Sequence, residues 1–168
     1  MKFEFIYVHF SMLLNSFLLY GANGYTGELI ARYAKQYNLE PILAGRRKEV
    51  IEPLAKQLNY TFRVFDLNDK ASLIEALKDV KLVIHAAGPF QFTAQQMIEA
   101  CLETGTHYLD INGDIAVFEL IKRYDAAAKK AGIMLLPGAG FDVVPTDCVA
   151  LQLIKLFFPL HQYFFKFF

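Results

Sequence analysis

The 168-residue sequence predicts an α/β fold, a doubly wound parallel sheet of about six strands with helices on both faces. Short apolar runs alternate regularly with segments in which apolar residues recur at helical spacing. No internal repeat or low-complexity linker interrupts this alternation. A turn rich in glycine, residues 21–27, joins the first strand to the first helix. Together these observations predict the strand order 3-2-1-4-5-6.

The strands are expected in six short apolar runs. Glycine, proline, asparagine and aspartate residues lie between many of these runs and the helices, as is typical of the turns around buried strands. Parallel neighbours need a crossover connection, and a segment with helical spacing separates each pair of runs. The runs are 16–20, 41–44, 61–65, 81–86, 106–109 and 133–136.

A helix is expected after each of the first five strands. The first covers 25–37, and the fifth covers about 117–131. The three helices between them are predicted by apolar residues three or four positions apart, which share one helical face. Those faces are Val50, Ile51, Leu54, Ala55 and Leu58; Leu73, Ile74 and Leu77; and Ala94, Met97, Ile98, Cys101 and Leu102.

The turn after the first strand has the spacing G-x-x-G-x-x-G. Gly21 can form the tight turn, Gly24 has no Cβ to block a pyrophosphate, and Gly27 lets the helix pack closely on its strand. The helix that follows presents unpaired N–H groups and the positive end of its dipole. This context predicts a Rossmann-type dinucleotide site, although a plain strand-to-helix turn is the alternative. The residues assigned to the dinucleotide are Gly21, Asn23, Gly24, Tyr25, Thr26 and Gly27.

The residues after the second strand indicate which dinucleotide is bound. NAD-binding sheets usually carry an acidic residue there for the ribose 2′-hydroxyl. This chain instead has Arg46 and Arg47, whose guanidinium groups match a 2′-phosphate in charge and geometry. The alternative is a solvated basic start to the next helix. We expect NADP(H) rather than NAD(H), with no metal.

Two further strand ends are candidates for the same site. Asp66 could accept a hydrogen bond from the adenine amino group while Leu67 covers the ring; the alternative is a helix cap, for which Asn68 or Asp69 would serve. Small residues after strand four would let a ribose approach, unless they form an ordinary tight turn. The cofactor residues assigned here are Asp66, Leu67, Ala87, Gly88, Pro89 and Phe90, and the residues expected on the substrate side are Phe90, Tyr108, Asp110, Phe141 and Asp142.

Composition excludes several other classes of function. The net charge is zero, so the chain lacks the basic surface that nucleic-acid binding requires. Cys101 and Cys148 have no metal-type spacing, and Cys101 shares an apolar helical face. His85 and His107 lie near strand ends, where we expect structural roles.

Phenylalanine accounts for 16 residues and is concentrated at the two ends. Residues 1–15 form an apolar extension, which is too interrupted and short for a membrane span. Residues 154–168 show no helical or strand period that fits a solvated terminus. They could anchor on a membrane surface, but we expect non-native or truncated sequence there. The NAD(P)-binding domain is therefore expected to cover 16–153.

The chain resembles the NADP-binding domain of the saccharopine dehydrogenase-like family over about 16–153. The resemblance implies a Rossmann domain that binds NADP(H). In complete members, a second domain follows, shapes the site for a small-molecule substrate and often forms a dimer. Since that domain is expected to be missing, hydride transfer should be weak or absent. The segments that carry the resemblance are 21–27, 43–47, 87–90, 105–113 and 138–147.

Three hypotheses about function follow. The first is an NADP-dependent oxidoreductase, present as its cofactor domain and located in the cytoplasm. The second is a non-catalytic NAD(P)-binding sensor or scaffold, which the missing substrate domain favours. The third is a membrane-associated protein that uses its apolar ends.

Overall fold

A computed structural model describes the backbone of residues 16–164 and the side chains of 17–155. All strand pairs are parallel, and their order is β3-β2-β1-β4-β5-β6. The α/β, doubly wound sheet predicted from the sequence is therefore confirmed, including its strand order. The strands are β1 (Ser16–Tyr20), β2 (Glu40–Gly45), β3 (Phe62–Val64), β4 (Leu82–His85), β5 (His107–Asp110) and β6 (Leu135–Leu136).

Helices connect the strands and cover both faces of the sheet. A 3-10 helix, Ala34–Tyr37, continues the first α-helix, so the predicted helix 25–37 has two parts. The α-helices among the described residues are α1 (Tyr25–Tyr33), α2 (Lys48–Leu58), α3 (Lys70–Leu77), α4 (Phe90–Thr104), α5 (Ile115–Lys122), α6 (Asp125–Ala131) and α7 (Val144–Phe164).

The single helix predicted over 117–131 is wrong, because α5 and α6 are separate helices. Between them, the N–H groups of Arg123 and Tyr124 donate to carbonyl oxygens three residues earlier, at 3.1 and 2.9 Å. Such tighter bonds end an α-helical segment. The Tyr124 hydroxyl also donates to Glu99 on α4, at 3.0 Å, which holds the turn against the neighbouring helix.

The core consists of two clusters, one on each face of the sheet. Alternate residues of β1 divide between them, since successive strand residues point to opposite faces. Leu18 and Tyr20 belong to the larger cluster with α4, whereas Phe17 and Leu19 belong to the smaller cluster with α2. Both faces of β1 are thus buried, as expected for the central strand of a doubly wound sheet.

Helix α7 crosses the predicted domain boundary at residue 153. Its helical backbone continues to Phe164. Residues 146–158 contain neither glycine nor proline, and this local preference permits a helix without a clear amphipathic period. Within the described residues, no helix has both the length and the apolarity needed to cross a membrane. The predicted extension 1–15 lies outside the described residues.

Candidate functional site

A cleft of about 540 Å³ opens at the carboxyl ends of β1, β2 and β4. It lies where the strand order reverses between β1 and β4, which is the usual ligand position in open α/β sheets. Most of the residues assigned to the cofactor from the sequence meet in this cleft. They are Gly21, Asn23, Gly24, Arg46, Arg47, Asp66, Leu67, Ala87, Gly88 and Pro89.

Four of the assigned residues do not line the cleft. The side chains of Tyr25 and Thr26 are exposed at the start of α1, and Tyr25 is 85% exposed. Gly27 lies in the contact between α1 and β1, where a Cβ would overlap the Gly21 carbonyl group. Phe90 packs edge-on against His85, with ring centroids 5.3 Å apart.

The glycine loop is held tightly against the end of β4. Gly21 has a φ of +86°, and a Cβ on it would lie 2.8 Å from the backbone of Ala86 and Ala87. Only glycine combines this conformation with this approach. Gly24 is exposed; its N–H donates to the Gly21 carbonyl at 3.0 Å, and its own carbonyl accepts from Glu28 at 2.8 Å.

The two arginines lie at the mouth of the cleft, and no described carboxylate forms an ion pair with either. Seven ion pairs join described residues, and none includes Arg46 or Arg47. Both side chains are exposed, and α2 begins directly after them at Lys48. Cations at a helix N-terminus oppose the helix dipole, so a bound anion would relieve this arrangement.

After β3, the helix cap that was the alternative role for Asp66 is supplied by Asp69. Asp69 accepts from the N–H of Ser72 and caps α3, at 3.2 Å. Asp66 instead accepts from the N–H and Nδ2 of Asn68, at 2.8 and 2.9 Å, and stays exposed in the cleft. Leu67 is buried beside it.

Tyr20 is a cleft residue that the sequence reasoning missed. Its hydroxyl donates to the Phe65 carbonyl at 3.3 Å. Burial raises the pKa of Tyr20 to about 12, with a further contribution from Asp66, while Arg46 opposes the shift. The bond to Phe65 places the tyrosine hydroxyl beside the carboxyl end of β3. Its position directly before the glycine turn was the available signal.

A buried histidine and a threonine hold the loop after β4. His85 Nε2 lies 3.0 Å from Thr93 Oγ1, and that hydroxyl donates to the Ala87 carbonyl at 2.9 Å. Because the hydroxyl hydrogen goes to Ala87, the Nε2–H of His85 is the donor to Thr93. Burial lowers the pKa of His85 to about 3, so the ring is neutral. The expected structural role of His85 fits this network.

Thr93 and Phe92 line the cleft, where the sequence had suggested Phe90. Phe90 is the first residue of α4 and packs on the larger core cluster. Successive residues of a helix point about 100° apart, so Phe92, two positions later, faces nearly the opposite side from Phe90. The signal in the sequence was a threonine directly before the apolar face that begins at Ala94.

The cluster after β5 is a closed hydrogen-bond network. The Asp110 carboxylate accepts from Tyr108 Oη at 2.7 Å, from Asn112 N and Nδ2 at 3.0 and 2.7 Å, and from Gly138 N at 2.8 Å. Tyr108, Asp110 and Asn112 are buried. Tyr108 and Asp110, expected on the substrate side, therefore present no accessible surface to a substrate.

The other residues expected on the substrate side lie apart from the cleft lining. Phe141 is 89% exposed, and Asp142 is exposed beside Gly113 and Gly140. Among the described side chains of 17–155, no group of three or more histidine, cysteine, aspartate or glutamate side chains is arranged to hold a metal ion. His107, near a strand end, accepts from the N–H of Met134 at 2.9 Å and links β5 to the segment before β6.

Comparison with known proteins identifies this arrangement. A family model described as the saccharopine dehydrogenase NADP binding domain matches residues 17–136, from β1 to β6. The chain belongs to this family. The family resemblance and the NADP cofactor expected from the sequence are thereby confirmed. The domain is the NADP-binding domain of saccharopine dehydrogenase-like oxidoreductases.

Individual relatives cover more than this chain does. A saccharopine dehydrogenase-like oxidoreductase of Mus musculus is 29% identical over 150 residues; the match covers 77% of this chain and 35% of the relative. A lipid droplet localized protein of Caenorhabditis elegans is 28% identical over 144 residues, 77% of this chain and 34% of the relative. The chain thus spans about a third of the length of these relatives.

A solved structure shares the fold. Apo saccharopine dehydrogenase (L-Glu forming) from Saccharomyces cerevisiae superposes with a TM-score of 0.68 at 20% sequence identity. The superposition covers 83% of this chain and 30% of the yeast chain. At this identity, the likeness concerns the fold alone.

Proposed function

We propose that the cleft holds NADP(H) through the residues that line it, and that the protein acts as an oxidoreductase that transfers a hydride. The observation that carries the proposal is that three features meet in one cleft: Arg46 and Arg47, which have no ion-pair partner among the described side chains, Gly45 at the end of β2, and the glycine loop. The arginines would bind the 2′-phosphate. The loop, through Gly21 and Gly24, would receive the pyrophosphate.

The remaining lining residues suit the two ends of the dinucleotide. Leu67 and Tyr20 form an apolar wall at the β3 side, where the adenine would lie, with Asp66 as a hydrogen-bond acceptor for its amino group. Ala87, Gly88 and Pro89 present small surface at the end of β4. NADPH supplies a hydride when it is bound, and the chain's own part is to hold and orient it.

Hydride transfer by this chain alone should be slow. Rapid transfer requires a substrate held in close, oriented contact with the nicotinamide. Apart from the two arginines, the ionisable residues among the described cleft residues are Tyr20 and Asp66. The Tyr20 hydroxyl donates to a backbone carbonyl, and burial raises the pKa of Tyr20 to about 12. Asp66 lies at the β3 side. These positions support cofactor binding more than proton transfer to a substrate.

The same observation favours a second candidate, a non-catalytic NADP(H) sensor or scaffold. The two candidates differ in whether bound NADPH is oxidised when carbonyl, imine or enoyl compounds are supplied. Loss of absorbance at 340 nm, dependent on the compound, would support the oxidoreductase. Binding of NADPH with no oxidation across these classes would support the sensor.

Location and partners are proposals of the same kind. We expect the protein in the cytoplasm, with a small-molecule substrate, no nucleic acid partner and a homodimer as the assembly. The zero net charge supports the absence of nucleic acid binding. Cell fractionation and light scattering of the purified protein test location and assembly. The name of the nematode relative makes the lipid droplet fraction a necessary part of that fractionation.

The experiment that tests the cofactor site is a titration with NADPH and with NADH, followed by nucleotide fluorescence. An Arg46→Ala/Arg47→Ala variant should bind NADPH at least about 10-fold more weakly, since each arginine can make charge-assisted hydrogen bonds to the phosphate. NADH affinity should change much less. A Lys129→Ala/Lys130→Ala variant removes the same charge from α6 and should match the unaltered protein. Absence of binding by folded protein would refute the proposed site.

A further inference from the structure

We propose that Asn23 and Gly45 together determine the preference for NADP(H) over NAD(H). This inference rests on the proposed function, because it concerns the same cleft. It assigns to Gly45 the space for the 2′-phosphate, and to Asn23 a direct hydrogen bond to it. Neither role follows from the two arginines, which supply positive charge but do not limit what else can bind.

Gly45 lies directly before Arg46, at the strand end near which NAD-binding sheets usually carry an acidic residue. It is the last residue of β2, and it is buried in the floor of the cleft. A Cβ on Gly45 would lie 2.9 Å from Ile51 Cδ1 and 3.2 Å from Asn23 Oδ1. Both distances are shorter than ordinary contacts between such atoms. A side chain at this position would have to displace the end of the Ile51 side chain and the Asn23 carboxamide, whereas glycine leaves the space above the end of β2 free.

Asn23 reaches this space from the loop after β1. It lies in the loop between β1 and α1, two residues after the turn at Gly21, and is partly exposed. Its carboxamide extends to the end of β2, as the short distance to Gly45 shows. The Asn23 side chain thus lies beside Gly45, directly before Arg46, where the ribose 2′ position is expected.

The chemistry of asparagine suits a phosphate at that place. A carboxamide has two N–H donors and no charge, so it can donate to a phosphate oxygen without repelling it. Rotation about its last side-chain bond exchanges Oδ1 and Nδ2, so either atom can face the cleft. An aspartate of the same shape would repel the 2′-phosphate, yet it could accept from the 2′-hydroxyl of NADH. A single change from nitrogen to oxygen should therefore alter the cofactor preference.

The test compares Asn23→Asp and Asn23→Ala with the unaltered protein, using NADPH and NADH. Asn23→Asp should weaken NADPH binding about 10- to 100-fold and leave NADH binding equal or tighter. Asn23→Ala should weaken NADPH binding about 3- to 10-fold, because it removes the donor without adding repulsion. Gln57→Glu makes the same chemical change at an exposed side chain on α2 and should not alter the preference. Circular dichroism and the thermal midpoint establish that each variant is folded.

Two smaller ligands locate the effect. Adenosine 2′,5′-bisphosphate carries the 2′-phosphate, and adenosine 5′-monophosphate lacks it. Asn23→Asp should weaken only the bisphosphate. Equal losses for both ligands would assign Asn23 to the pyrophosphate or to the fold, and would overturn the inference while the proposed site stands. Unchanged NADPH binding by Asn23→Asp would overturn it as well. If the unaltered, folded protein binds neither dinucleotide, the proposed function and this inference both fall.

Discussion

Replacing Gly21 with alanine tests the geometry of the glycine loop. The φ of +86° is costly for a residue with a Cβ, by about 1–2 kcal/mol. The added Cβ would also lie 2.8 Å from the carbonyl carbon of Ala86 and from the amide nitrogen of Ala87. These are backbone atoms and cannot rotate away, so overpacking adds about 1–3 kcal/mol. We expect Gly21→Ala to lower the free energy of unfolding by about 2–5 kcal/mol in total.

Gly105→Ala is the matched control for this change. Gly105 has a similar φ of +73°, but no heavy atom lies within 4 Å of the Cβ position. It should lose only the conformational part, about 1–2 kcal/mol. The assay is urea unfolding followed by circular dichroism, because the chain has no tryptophan. If Gly21→Ala is no more destabilising than Gly105→Ala, the close approach of the loop to β4 is refuted.

Three further predictions concern the cleft. Gly24→Ala should keep stability within about 1 kcal/mol, since its backbone is in an ordinary extended conformation, while NADPH titration shows at least about 10-fold weaker binding. Thr93→Val should lower the free energy of unfolding by about 1–3 kcal/mol and weaken NADPH binding, because it leaves His85 and the Ala87 carbonyl without a partner. Thr93→Ser should restore both the stability and the binding. Equal behaviour of the two variants would contradict the network. His85 is neutral in the fold with a pKa of about 3, so the unfolded chain takes up its proton first as pH falls below about 6.5. The stability that His85 contributes is complete above that pH and is lost toward pH 3, by about 1.4 kcal/mol per pH unit. With His85→Gln, the free energy of unfolding, measured by urea unfolding between pH 6 and 4.5, should depend less on pH.

The strand order and the location of the site could be predicted because both depend on local patterns. The alternation of strand and helix determines a parallel sheet, and ligands of such sheets bind at the carboxyl ends of the strands. Gly21 and Arg46 follow strands directly and Ala87 follows one within two residues, so their meeting in one cleft required no knowledge of side-chain packing.

Side-chain direction could not be predicted in the same way. The starting residue of α4 determines whether Phe90 or Phe92 faces the cleft, and a shift of one residue rotates a side chain by about 100°. The Asp110 network depends on Gly138, which is far along the chain and comes close only after β6 pairs with β5. The break between α5 and α6 has no glycine or proline to mark it.

Hydrogen–deuterium exchange with and without saturating NADPH tests the central claim most directly. It reports which backbone amides the dinucleotide protects, without any substitution. We predict protection at 21–28, at 45–48 and at 86–93, with no change over 125–136 at the far edge of the sheet. Protection confined to other segments, or no protection at a concentration that saturates binding, would contradict the assignment of this cleft to NADP(H).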